Sequence, residues 1–339
     1  MNRNRNALVE DLLKSSEPSI RWKVRVDVLG EDPESRNVQR LREQIRNSAR
    51  VSAIFANRDS RGRLEPRNNI YAKWQGAHWT LATLADIGYP PGDESLAPIR
   101  DQVLDHWLSD SFFEEFEAAT KAASYQKPGV PVMRGRYRRC ASQQGYSLYF
   151  LHKLDIADDR AERLVERLLH WQWPDGGWNC DKKPSADTSS FMETLLPMTG
   201  LAIHARTCGD KNARQAALRA SEVFLTRGLF KRRSDRSVIH PDFVRLHYPL
   251  YWHYDVLGGL KGMAELGLLK DPRCSSALDL LEEKELAKGG WPAERRYYKV
   301  SPGIETGAEY VDWGGCGQSR MNEWVTADAL HVLREAGRF

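Results

Sequence analysis

Tryptophan, tyrosine, histidine and carboxylate recur wherever an apolar segment of this chain begins. Arg21, Trp22 and Lys23 open one such segment; Trp74, Gln75, His78 and Trp79 open another. Gln143, Gln144 and Tyr146 follow, then Asp187, Ser190 and Glu193. His247, Tyr251, Trp252, His253, Tyr254 and Asp255 come next, and Asn322, Glu323, Trp324 and Asp328 end the series. Brought together, these residues would wall a cavity with aromatic rings and set a few carboxylates and imidazoles among them. Aromatic faces attract cations through their quadrupoles, so such a cavity can shelter positive charge on carbon or bind an apolar ligand. One aromatic taken singly is more often core; the clustering at segment starts is what points to a site. Asp187 is the first candidate acid, since desolvation would raise its pKa toward general-acid duty. Helix capping is the other reading of Asp187. Asp255 and His253 form a second acid–base pair of candidates. Glu193 stands three residues after Ser190, the spacing of a capping box.

Twelve segments must position these groups. Six are apolar: Ile20–Leu29, Trp74–Ile87, Gln143–Leu154, Asp187–His204, Tyr248–Leu266 and Asn322–Ala336. Six amphipathic ones alternate with them: Ala7–Lys14, Asn37–Asn47, Ala97–Trp107, Ala161–His170, Ala213–Thr226 and Ser275–Leu286. Apolar residues three and four apart with charges opposite describe helices wet on one face, and strand alternation is almost absent. The closed solution is an all-α (α/α)6 toroid, residues 1–339 forming one domain, with the apolar helices as the inner ring. An open solenoid is the alternative, but no polar cap repeat ends the array.

Loop lengths distinguish the two ends of such a ring. Connections after inner helices are short, whereas 49–73, 110–142, 228–247 and 287–321 precede inner helices and are long. Long loops are usually functional. The expected site is therefore at the amino ends of the inner helices, whose dipoles favour an anion. Arg134, Arg136 and Arg139, with the run Lys231–Arg236, lie in these loops and would hold a diphosphate or carboxylate.

Gln172-Trp173-Pro174-Asp175-Gly176-Gly177-Trp178, followed by Ser185-Ala186-Asp187-Thr188-Ser189-Ser190-Phe191, resembles the QW repeat of the terpenoid-cyclase and protein-prenyltransferase superfamily. Gly289-Gly290-Trp291 is a truncated second copy. The resemblance implies the same toroid and an enzyme acting on an extended, mainly apolar, isoprenoid-type substrate. Trp22, Trp74, His78, Trp79, Tyr146, Glu193, His247, Tyr251, Trp324 and the three loop arginines are then its substrate-binding candidates, with Asp187, Asp255 and His253 as catalytic ones. Two departures matter. The D-x-D-D acid of the class II cyclases is missing; Asp155-Ile156-Ala157-Asp158-Asp159 is the nearest string and sits in a short connection. Serine replaces the thiolate of the prenyltransferase zinc motif at Asp187-Thr188-Ser189, so no metal or other cofactor is expected. The fold also hosts other chemistry. A carbohydrate-active lyase or hydrolase and a non-catalytic toroid binding a lipid, peptide or protein are the alternatives.

Bulk properties set outer bounds. A formal charge of +4 over 339 residues is too small to argue for nucleic acid, and no nucleic-acid module is recognised. No apolar run reaches the ~20 residues of a membrane span. The five cysteines show no C-x-x-C pairing, and the amino terminus lacks an apolar signal segment, so the cytoplasm is the expected compartment.

Overall fold

The structure is a computed structural model and describes residues 2–65 and 69–339. Its helices, in chain order, are α1 (Asn2–Leu12), α2 (Pro18–Lys23), α3 (Arg36–Arg46), α4 (Ala49–Ile54), α5 (Ala77–Asp86), α6 (Ala97–Trp107) and α7 (Asp110–Phe113). There follow α8 (Ala141–Lys153), α9 (Arg160–Trp171), α10 (Phe191–Cys208), α11 (Lys211–Leu225), α12 (Val256–Glu265), α13 (Ser275–Glu283) and α14 (Glu323–Glu335). A π-helical turn, Val24–Val28, prolongs α2.

Neighbour contacts arrange these helices as two rings. α5 packs on α8, α8 on α10, α10 on α12, α12 on α14, and α14 on α2 and its π turn. The last gap, between α2 and α5, closes where Trp22 lies against Gly88: a Cβ there would come within 2.3 Å of the indole. Outside, α3, α6, α9, α11 and α13 each pack on the inner helix that precedes them, and α1 packs on α14. The expected all-α toroid is therefore the fold. Its outer helices α3 and α9 carry one apolar stripe each, Val38–Leu41–Ile45 and Ala161–Leu164–Val165–Leu168, as a helix wet on one side requires.

Three inner helices start later than periodicity suggests. The second begins at Ala77 rather than Trp74, the fourth at Phe191 rather than Asp187, and the fifth at Val256 rather than Tyr248. Side-chain hydrogen bonding explains two of these. Asp255 caps the fifth by accepting from Gly258 N at 2.7 Å, and Pro249 upstream lacks the donor a helix interior needs. Before the fourth, Asp175 takes both the amide (2.7 Å) and hydroxyl (2.6 Å) of Ser189, which holds that residue out of the helix.

The two Gly-Gly-Trp turns are built alike. Trp178 donates its indole N–H to Leu168 O at 3.0 Å, and Trp291 donates to Leu281 O at 2.6 Å. The backbone N–H of each tryptophan donates to a threonine on the next inner helix, Thr194 at 3.2 Å and Thr326 at 2.9 Å. Each turn thus ties an outer helix to the inner helix after it. Gly176 has φ +100°, and a Cβ on it would meet Arg219 O at 2.3 Å, so this position needs glycine for both reasons.

Small residues also set the closest helix crossing. A Cβ on Gly145 of α8 would sit 2.3 Å from the backbone of Pro197, and one on Gly200 of α10 would sit 2.2 Å from Gly145 O. Both obstacles are backbone and cannot turn aside. Gly145→Ala is expected to destabilise the fold by about 1–3 kcal/mol. Urea denaturation of the variant checks this; unchanged stability would mean that α8 and α10 are not held this close.

The long loops carry what little sheet there is. In 110–142, β1 (Glu115–Glu117) pairs parallel with β2 (Val130–Met133), Glu115 opposite Val130, and β2 pairs antiparallel with β3 (Arg136–Tyr137). In 287–321, β4 (Lys299–Val300) pairs parallel with β5 (Ala308–Glu309).

Candidate functional site

The inner ring encloses a cavity with about 1210 Å³ of empty space, counting its open mouth. Helical spacing supplies its walls. Tyr146, Tyr149 and Lys153 share one face of α8; Leu257, Lys261 and Glu265 share one face of α12; Asp328 and His331 share one face of α14. Trp22, Lys23 and Asp27 come from α2 and its π turn, and Ala82, Thr83 and Asp86 from α5.

Midway along the wall, four inner helices are joined by charge. Lys23 Nζ lies 3.0 Å from Asp328 and 3.4 Å from Asp86; Lys261 Nζ lies 2.7 Å from Asp328 and 3.5 Å from Asp86. The Tyr248 hydroxyl donates to Asp86 as well. Burial works to raise the Asp86 carboxyl, yet the two ammonium groups outweigh it and hold it well below the usual carboxylate range. Burial also opposes the charge on Lys23, and Asp328 and Asp86 overcome it, so its pKa rises. Asp86, Lys23 and Lys261 are therefore charged at neutral pH.

The mouth lies at the carboxyl ends of the inner helices. There Asp27, Glu265 and His331 are half-buried and Lys153 is exposed. Lys153 and Arg206 both pair with Glu265, at 3.3 and 3.0 Å. The amino ends, where the loops are long, are closed. Tyr251 stacks on Trp74 with ring centroids 3.8 Å apart, and His253 is sandwiched between Trp252 (4.1 Å) and Tyr297 (3.3 Å). This reverses the expected polarity of the site. The long loops fold inward as an aromatic plug instead of framing an entrance.

The plug carries the most reactive arrangement in the cavity. His247, 4% exposed, has Nδ1 2.8 Å from Oδ2 of Asp255, which is 1% exposed; the same Oδ2 accepts from His247 N at 2.9 Å. Among the described residues, Nε2 of His247 has no hydrogen-bond partner. A carboxylate behind one ring nitrogen fixes the tautomer and leaves the other free for proton transfer. Among the described residues, Trp22 Nε1 is a further buried polar atom of the lining without a partner, and the Tyr251 hydroxyl faces only the Glu309 carboxyl.

Of the residues singled out in the sequence, Trp22, Lys23, Tyr146, His247, Tyr251, Asp255 and Asp328 line this cavity. Asp255 pairs with His247, not with His253. Burial, with His247 and Lys73 nearby, pushes the His253 imidazole down to about 3, so it stays neutral within the plug. Trp74 and Trp79 stand behind Tyr251 as support. His78 is a buried core group, accepting from Trp107 Nε1 at 3.2 Å and pushed down to about 3 by burial. Trp324 stacks on Tyr248 outside the lining.

The remaining candidates lie elsewhere. Asp187 is exposed in the loop before α10, and it neither lines the cavity nor caps the helix. Arg134 is exposed, Arg136 lies over Trp173, and Arg139 is buried against Phe112 and Gln143. Glu193 accepts from Ser142 N at 3.1 Å and from Cys180 Sγ at 3.3 Å, outside the cavity and without closing a capping box. The prenyltransferase-type zinc set is not assembled, since Asp187 faces solvent and the Ser189 hydroxyl is engaged by Asp175.

Sequence reasoning missed Asp86, Tyr149, Lys261 and Glu309 as functional candidates. Asp86 ends its helix, and Tyr149 and Lys261 lie beyond the first turn of theirs. Glu309, 4% exposed, accepts from the Trp313 indole and faces the Tyr251 hydroxyl; burial pushes its carboxyl up to about 8.

No protein-family model matches the chain, and no curated protein matches it. Among solved structures, a protein from Actinoplanes is 16% identical, with a TM-score of 0.44 over 99% of this chain and 98% of that one. The type II terpene cyclase MstE from Scytonema is similar in two variant forms. One, with merosterolic acid A as product, is 13% identical with a TM-score of 0.42, covering 95% and 87% of the chains. The other, with geranylgeranyl dihydroxybenzoate as substrate, is 14% identical with a TM-score of 0.43, covering 94% and 87%. These overlaps are loose, and the fold rests on the helix contacts of this chain itself.

Proposed function

We propose that this chain is a terpenoid-cyclase-like enzyme that takes an extended, mainly apolar substrate through the carboxyl ends of the inner helices. The observation that carries the reading is the His247–Asp255 pair, buried at the closed end of a cavity walled by Trp22, Tyr146, Tyr149, Tyr248 and Tyr251. Aromatic faces and the negative ends of the inner helices favour positive charge developing on carbon. A His247 imidazolium held by Asp255 would first give its Nε2 proton to a substrate alkene or epoxide, forming the cation; the neutral Nε2 would then take a proton from a carbon beside the final cation, so that the C–H bond breaks, its electrons form the product alkene, and the imidazolium is restored.

Charge separates the cyclase reading from a prenyltransferase one. Asp27, Asp86, Asp255, Glu265 and Asp328 outnumber Lys23, Lys153 and Lys261 in the lining, and the loop arginines lie outside it. A diphosphate would meet net negative charge, so the favoured substrate is an isoprenoid without one. The four-charge wall favours a second reading, a carbohydrate-active enzyme whose polar substrate bonds to those same groups.

The test is incubation with polyprenyl alcohols, polyprenyl arenes, prenyl diphosphates and oligosaccharides, followed by mass spectrometry. Consumption of a non-phosphorylated isoprenoid is expected, and His247→Ala should lose about a hundredfold in kcat, the lower range for a general acid–base group. Turnover of oligosaccharides alone would move the assignment to the second reading. Isoprenoid turnover with full activity in His247→Ala would remove the histidine from the chemistry.

A further inference from the structure

We propose that Cys140, Cys180 and Glu193 form a zinc site with three protein ligands and one open position, beside the Gly-Gly-Trp turn and outside the cavity. Cys140 precedes α8, Cys180 follows the turn, and Glu193 lies in the first turn of α10. Three separate segments therefore deliver two thiols and a carboxyl to one point. Their ligand atoms all lie within 4.8 Å of one another, and Cys180 Sγ is 3.3 Å from Glu193 Oε1. Zinc bonds of about 2.3 Å to sulfur and about 2.0 Å to oxygen make a tetrahedral S···O edge of about 3.5 Å. The cluster is close to that size before any metal enters.

The surroundings suit a metal better than they suit free thiols. The second oxygen of Glu193 is held by Ser142 N at 3.1 Å, which orients the ligand oxygen toward the sulfurs. Arg139 is 8% exposed and forms no ion pair among the described residues, and burial lowers its pKa while Cys140, Glu193 and Cys180 act against that. Two thiolates and a carboxylate contribute −3 and zinc +2, so the loaded site carries −1 and Arg139 balances it. Zinc binding releases the two thiol protons, plus that of Glu193 where its carboxyl is protonated. Three protein ligands leave a fourth position for water or an exogenous group, the pattern of zinc sites that act on ligands. This ligand set shares no residue with Asp187-Thr188-Ser189, so it is independent of the prenyltransferase motif. It is equally independent of the His247 assignment, and either can fail alone.

Metal analysis of the protein purified under reducing conditions without chelator tests the site. One zinc per chain is expected, exchangeable for cobalt with thiolate-to-cobalt charge-transfer absorption. Cys180→Ser and Glu193→Gln should each weaken zinc affinity by at least roughly tenfold, with helical circular dichroism retained. His204→Ala, at the separate His152–His204–Cys208 cluster, should leave the zinc in place. Metal-free protein that takes up neither zinc nor cobalt on titration would overturn the proposal. So would a Cys140–Cys180 disulfide that persists under reducing conditions, or zinc that survives in a Cys140→Ser/Cys180→Ser double variant.

Discussion

Asp328→Ala will lower the stability of the toroid by about 3–5 kcal/mol, the cost of removing one member of a buried ion pair. Asp328 is 6% exposed and accepts from both Lys23 and Lys261. Without it, Lys23, 3% exposed, keeps only the 3.4 Å contact with Asp86. Lys261 is about a third exposed and can turn toward water, so most of the loss falls on Lys23. Replacing Lys23 by Met together with Asp328 by Leu removes both charges and should recover much of the stability, because apolar groups of similar size carry no desolvation cost. The same network sets the acid limit. Asp86 has its folded pKa depressed, so it contributes stability above the ordinary carboxylate range, and that contribution is lost as pH falls below about 4. Urea denaturation of the three proteins at neutral pH is the measurement. A loss below about 1 kcal/mol in Asp328→Ala would show that the four helices are not held by this network.

Periodicity revealed the helices because each amphipathic stripe is a local property. Val38, Leu41 and Ile45 declare an outer helix with no knowledge of what they pack against. Helix starts were less legible. Asp255 and the Asp175–Ser189 bonds move two of them, and only the first of these is local in sequence. The end at which the cavity opens could not be read from loop length, because length does not say whether a loop frames an entrance or folds into it. Here Trp74, Tyr251, Trp252, His253 and Tyr297 stack on one another across two loops and α12's approach, and close that end. The partner of Asp255 was misjudged for a related reason. His253 is nearer in sequence, but the chain reverses between His247 and Asp255, bringing His247 Nδ1 within 2.8 Å. Long-range meetings such as Cys140 with Cys180, or Lys23 with Asp328, leave no mark on local pattern at all.

Glu309→Gln will make the protein more stable at pH 8 and leave it nearly unchanged near pH 4.5. Glu309 lies in β5, is 4% exposed and, among the described residues, has no cation bonded to it; the Trp313 indole and the Tyr251 hydroxyl are its polar neighbours, and the Arg50 charge acts on it only weakly. Burial therefore dominates and raises the carboxyl from 4.5 to about 8. In the unfolded chain the same group ionises near 4.5. Between those two values the folded state binds the proton and the unfolded state does not, so stability falls as pH rises across that interval. Its contribution is complete below pH 4.5 and gone above about pH 8. The interval sets a ceiling of about 5 kcal/mol on this one group. Glutamine keeps the shape, stays neutral, and offers the indole the same acceptor oxygen. The wild type should lose stability from about pH 5 to about pH 8 relative to the variant, and the two urea curves should converge at the acid end. Parallel pH profiles for the two proteins would mean that Glu309 is ionised when folded, and that water or a cation reaches it past Trp313. Activity then tests whether the same proton is used. Tyr251 stands between Glu309 and the cavity, so a relay through its hydroxyl predicts that Tyr251→Phe and Glu309→Gln lower kcat alike. A purely structural carboxyl predicts that Glu309→Gln raises stability and leaves kcat unchanged.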